Sequence, residues 1–133
     1  MKAIYPSLLV LAVIASPVRG ATAEPTSSAW EFLGLIDKGQ YAQSWADGSA
    51  LFRTRITEKS WESKNQIFRD AVGSILWRDV EGVAVQSDPP DLPKGQYAIV
   101  HFRSKFTKKA DCEENVILLQ EGGLWRVATY TIK

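Results

Sequence analysis

The hydrophobic period of this chain changes once, at Gly73. Before it, apolar residues recur every three or four positions; after it, they favour alternation. A helix-period segment does not settle as a strand, nor the reverse, so the N-terminal half is helical and the C-terminal half is sheet. Trp30, Phe32, Leu33, Leu35 and Ile36 predict a first helix, with Ser28 and Glu31 as a capping box and Gly39 as its left-handed stop. Tyr41 to Trp45 predicts a short second helix ending at Asp47-Gly48, and Ser49 to Arg53 one more turn. Thr57 caps a longer helix carrying Trp61, Phe68, Val72 and Ile75 at helical spacing, with Lys59, Glu62, Lys64, Asn65 and Asp70 on its wet side.

The strand half divides at its turn residues. Leu76 to Gln86 predicts a strand, with a bulge where Asp79 to Gly82 breaks the alternation. Asp88 to Gly95 holds three prolines and is a loop. Gln96 to Phe106, Asp111 to Gln120 and Leu124 to Ile132 are further strands, the last two joined by a two-residue turn at Gly122-Gly123. The fold class is therefore α+β, with N-terminal helices packed on one face of a four-stranded antiparallel sheet.

That glycine turn sets a register. It pairs Leu118 with Val127, Ile117 with Ala128 and Val116 with Thr129. A four-residue loop at Thr107 to Ala110 would place Val100 opposite Ile117 and Arg103 opposite Glu114. The face toward the helices then carries Ala98, Val100, Phe102, Ile117, Leu119, Ala128, Tyr130 and Ile132. The outer face carries Tyr97, Ile99, Leu118, Trp125 and Val127 at one end. An apolar patch on a face expected to be wet marks an interaction surface, and a homodimer through it is the expectation. The bland alternative is that the sheet curls over these residues or the proline-rich loop covers them.

The first 23 residues read as an export signal. Lys2 supplies the positive end, Leu8 to Ala15 an eight-residue apolar run, and Ala21-Thr22-Ala23 a small-x-small cleavage pattern. The run is too short for a stable membrane anchor, which needs about 20 residues. Cleavage before Glu24 removes Lys2 and Arg19 and no acid, leaving one domain, residues 24–133, of 110 residues at formal charge −1; cleavage after Gly20 and an uncleaved N-terminal anchor are the alternatives. The expected location is periplasmic or secreted. Near-neutral charge argues against a nucleic-acid partner. One Cys and one His exclude thiolate-rich or multi-histidine metal sites, so no metal and no cofactor is expected. Cys112, unpaired, is expected to be buried and inert.

The run Trp30-Glu31-Phe32-Leu33-Gly34-Leu35-Ile36-Asp37-Lys38-Gly39-Gln40-Tyr41-Ala42-Gln43-Ser44-Trp45 resembles the opening of the bacterial domain of unknown function 4019 family. Trp61 to Gly73, Tyr97 to Phe106 and the close Gly122 to Lys133 are similar to the same family's pattern. Thr129 departs from the small residue expected before the tyrosine. The resemblance spans residues 28–133 and rests on structural positions. It implies a small cone of the nuclear-transport-factor-two-like, cystatin-like kind, with a curved sheet and often a pocket against the helices. Such cones host isomerases, dehydratases and binders alike, so the fold does not choose a function.

No set of residues composes a catalytic constellation. His101 is read as a half-exposed strand residue without an acid across from it, and Arg103 with Glu114 as a surface ion pair. Asp111, Glu113 and Glu114, like Asp88 and Asp91, read as solvated. Glu113 and Glu114 must point to opposite faces and cannot act as a pair. Lys105, Lys108 and Lys109 at a hairpin tip are read as edge protection, and Trp30, Trp45 and Trp61 as core. The expected function is a non-enzymatic module that binds a small molecule or an envelope protein. The alternatives are a small pocket enzyme of isomerase or hydratase type, by fold analogy, and a structural envelope accessory.

Overall fold

The computed structural model describes residues 24–133, so the expected export signal lies outside the described residues. Four helices lead: α1 (Pro25–Asp37), α2 (Tyr41–Ala46), α3 (Ala50–Arg55) and α4 (Glu58–Val72). Four strands follow: β1 (Ile75–Ser87), β2 (Gln96–Phe106), β3 (Lys109–Glu121) and β4 (Leu124–Ile132). They form one antiparallel sheet in the order β1-β2-β3-β4, curved and unclosed, with the helices against its inner face. No described helix is long and apolar enough to cross a membrane.

The helix ends follow local chemistry. Pro25 at the first turn, with its φ already fixed, starts α1 three residues before the expected capping box, and no side chain caps it. Ser49 caps α3 by accepting from the Phe52 amide, and Thr57 caps α4 by accepting from the Ser60 amide. Gly73 ends α4 at φ +79°, and a Cβ there would collide with Thr107 Oγ1. That same oxygen accepts from the Ser74 amide, while the Thr107 and Lys108 amides donate to the Ser74 and Val72 carbonyls. The β2–β3 turn is thus tied to the end of α4. Gly73→Ala is expected to lower the unfolding free energy by about 2 kcal/mol, through a disfavoured φ and a displaced turn. Urea unfolding checks this; an unchanged midpoint contradicts the tie.

The register differs from expectation at two places. Thr107 and Lys108 alone make the β2–β3 turn, with Phe106 opposite Lys109, so Val100 faces Val116 and Arg103 faces Glu113. In the second hairpin Leu118 does face Val127, but a bulge at Ala128 then puts Thr129 opposite Ile117 and Tyr130 opposite Val116. Strand β2 keeps its expected inner residues Ala98, Val100 and Phe102, all fully buried. Strand β3 turns over: Val116 and Leu118 point inward in place of Ile117 and Leu119. The bulge lets Val127 and Tyr130 both contribute to the inner layer, with Ala128 buried between them.

The interior holds a large cluster of Phe32, Leu33, Ile36, Phe52, Trp61, Phe102, Val116 and Leu118 with their neighbours, and a smaller one of Val72, Phe106 and Cys112. Trp61 is the junction of the first. Phe52, Phe32 and Tyr130 lie 4.9, 6.0 and 6.4 Å from it, centre to centre. Its indole N–H donates to Ser44 Oγ at 2.9 Å. The space between helices and sheet at this end of the cone is filled by rings.

Candidate functional site

Between the two apolar clusters runs a polar rung. Inward-pointing positions on neighbouring strands supply Arg78 from β1, Ser104 from β2 and Glu114 from β3. Tyr130 joins from β4, and Asp37 from the end of α1. Glu114 is fully buried. It accepts from Arg78 Nε at 3.1 Å and Nη2 at 3.0 Å, from Ser104 Oγ at 2.8 Å and from the Tyr130 hydroxyl at 3.2 Å. Arg78 gives its remaining side to Asp37, with Nη1 to Oδ2 at 2.7 Å. Burial opposes charge on Arg78, but its hydrogen bonds to Asp37 and the charge and bonds of Glu114 outweigh it, so the pKa rises further. This corrects the reading of Glu114 as a solvated partner of Arg103. With both oxygens bonded by donors, it is no free acid or base.

Tyr130 has its pKa pushed well above the usual tyrosine value, first by burial and then by the Glu114 charge. Burial raises Tyr41 in the same direction, and also the Cys112 thiol. All three bind their protons more tightly folded than unfolded. Their contribution is complete below the unfolded values, about 9 for Cys and 10 for Tyr, and is lost as pH rises through the folded ones. Unfolding free energy is expected to fall above about pH 9. Tyr130→Phe, less stable at pH 7, is expected to lose less between pH 9 and 11. Urea titrations across that range check the sign; a steeper loss in the variant contradicts it.

On the outer face, the bulge at Val80–Gly82 brings Glu81 to His101, Nε2 to Oε2 at 3.1 Å, while Nδ1 lies 2.6 Å from Asn115 Oδ1. An acid therefore does reach His101, from β1. With both ring nitrogens engaged, the imidazole is a poor candidate for a base. Arg103 pairs with Glu81 and Asp111 at 3.1 and 2.8 Å.

The five residues expected on one outer patch do not form it. Leu118 and Val127 lie in the inner core and Trp125 packs against it. Tyr97 is outward but buried, its hydroxyl donating to the Pro93 carbonyl of the proline-rich loop at 2.8 Å. Ile99 is half-buried beside it. Loop cover, the bland alternative, explains Tyr97. The homodimer expected through that face rested on a contiguous patch that these positions do not make.

An open cleft of about 600 Å³ lies where α1, α2, α4 and the β2–β3 turn converge, lined by Asp37, Tyr41, Arg69, Asp70, Ser74 and Lys108 among others. Such a volume accommodates a small molecule. Arg69 is the unusual member. Its side chain is 9 % exposed, and its guanidinium lies over the Phe106 ring at 4.8 Å. Nη2 approaches Asp37 Oδ1 at 3.0 Å, yet Nε and Nη2 are both sealed from solvent without a hydrogen-bonded acceptor. A buried N–H left this way costs about 1–3 kcal/mol. Lys108 reaches only the Asp70 carbonyl, at 3.3 Å.

Sequence reasoning did not single out Asp37, Arg69, Arg78 or Tyr41, and it put Asn65 on the wet side. Asn65 is buried, donating back to the Trp61 carbonyl. The one legible signal was polar residues at inward positions of alternating strands, Ser104 and Glu114, which the wrong β3 register hid.

The fold has known company. A crystal structure from Campylobacter jejuni, described as an NTF2-like transpeptidase, is similar at TM-score 0.51 and 16 % identity. The match covers 79 % of this chain and 97 % of that one and shows the shared fold. No curated protein matches the sequence. The pattern of the family described as Protein of unknown function (DUF4019) matches residues 28–130. That span is most of the chain, and the chain belongs to the DUF4019 family.

Proposed function

We propose that this protein is an exported, non-enzymatic module that binds a small ligand in the cleft between α1, α4 and the β2–β3 turn. Export is supported by the pattern of residues 1–23. One observation carries the binding reading: Glu114 in the cone is saturated by donors, whereas the outer cleft is an open space of about 600 Å³ lined by Arg69, Tyr41 and Lys108.

A transpeptidase chemistry, carried over from the Campylobacter jejuni neighbour, would need a reachable nucleophile. Cys112 is fully buried with its thiol pKa raised by burial, and the Ser104 hydroxyl is committed to Glu114. Neither favours it. A thermal-shift screen against small metabolites tests the module reading. A ligand held at 100 times its Kd stabilises the native state by about 2.7 kcal/mol, which raises the melting temperature. Turnover of the stabilising compound, or no stabilisation by any, contradicts the reading.

A further inference from the structure

We infer that the ligand of this cleft is a small organic monocarboxylate, held edge-on by Arg69 and flanked by Tyr41 and Lys108. The inference rests on the binding-module reading and names its ligand class.

The geometry begins with the guanidinium. Phe106 lies against its face, so a ligand approaches along its edge, in the plane of its N–H bonds. Nε and Nη2 are sealed, which leaves Nη1 as the nitrogen open to the cleft. One guanidinium N–H can donate a charge-assisted hydrogen bond to one carboxylate oxygen. Tyr41 lines the same wall. Burial keeps its hydroxyl protonated, a donor throughout the neutral range. The Lys108 ammonium has three donors and uses one, on the Asp70 carbonyl. Donor-bearing side chains from three elements thus line one opening.

The charges limit what enters. Asp37 stands between Arg69 and Arg78, and Arg78 also serves Glu114. Those two cations and two anions balance. Lys108 and Asp70 balance again at the rim. A single negative charge gains Arg69 and Lys108 as partners. A dianion such as phosphate meets the same donors but also the carboxylates of Asp37 and Asp70, which repel it more. Ile36 and the Tyr41 ring add an apolar flank for a short organic body.

The test is calorimetric titration of the purified chain at constant ionic strength. Butyrate and benzoate are the carboxylate probes; inorganic phosphate and butylamine are the controls. Saturable carboxylate binding is expected, tighter than phosphate, with no butylamine binding at this cleft. Arg69→Met keeps an apolar stem over Phe106 and is expected to weaken benzoate at least tenfold. Lys108→Gln, on an exposed turn, and Tyr41→Phe are expected to weaken it several-fold each. No saturable carboxylate binding overturns the inference, as does phosphate binding more tightly than benzoate. So does unchanged affinity in a folded Arg69→Met. If that variant does not fold, unchanged affinity in both Lys108→Gln and Tyr41→Phe overturns it. Stabilisation by a compound of another class, without carboxylate binding, overturns the ligand class while leaving the module reading intact. Chemical conversion of a bound carboxylate overturns the module reading instead.

Discussion

Glu114→Ala is expected to lower the unfolding free energy by about 3–5 kcal/mol, a large share of what a domain of this size has. The carboxylate is fully buried, and four donor atoms converge on it. Removing it leaves Arg78, 3 % exposed, with half its fork unmatched, and leaves the Ser104 and Tyr130 hydroxyls without an acceptor. The cost is that of an uncompensated charge in a dry place, not the net worth of the ion pair. The double replacement Arg78→Met with Glu114→Leu is therefore expected to cost less than either single change. Urea unfolding followed by circular dichroism gives all three numbers. A Glu114→Ala cost below about 1 kcal/mol would mean that water reaches the rung and that the cone is open.

Trp61→Ala is expected to cost about as much, 3–5 kcal/mol, by a different mechanism. It leaves a void where Phe52, Phe32 and Tyr130 meet, with no chain positioned to fill it. It also removes the donor to Ser44, whose own hydroxyl donates to the Tyr41 carbonyl at 2.7 Å. The damage therefore extends through Ser44 to the cleft wall, and weaker carboxylate binding should accompany the lost stability. Trp30 is the internal control. It is 40 % exposed and meets Phe102 edge-on at 5.1 Å, so Trp30→Ala is expected to cost about 1 kcal/mol. Equal costs at the two positions would contradict the placement of the core junction at Trp61.

The elements of this fold were legible where single residues carry the backbone information. Gly39, Gly73, Gly122 and Gly123 all take positive φ, and each stands at an expected stop or turn. The faces of β3 and β4 were not legible, for a physical reason. Val116, Ile117, Leu118 and Leu119 are apolar in succession because both faces of β3 are covered at that end. The helices cover one, and the proline-rich loop reaches Leu119 and Tyr97 on the other. Without a polar–apolar alternation, nothing local fixes which residue points inward. The Ala128 bulge leaves no turn residue to announce it.

The rung and the cleft were hidden more deeply. Arg78 and Glu114 stand 36 positions apart, and each alone reads as surface, where such residues usually lie. Only the strand pairing brings them together. Arg69 carries no sequence mark at all; the sealing of its Nε and Nη2 is a property of the space around it.

A site-resolved chemical-shift map of the ¹⁵N-labelled chain titrated with benzoate tests the central claim most directly. A sealed cone with its ligand in the outer cleft predicts saturable shifts confined to Ile36–Tyr41, Arg69–Ser74 and Thr107–Lys108. Shifts centred on Glu114, Ser104 and Tyr130, with those cleft residues silent, would show a ligand inside the cone and contradict the account.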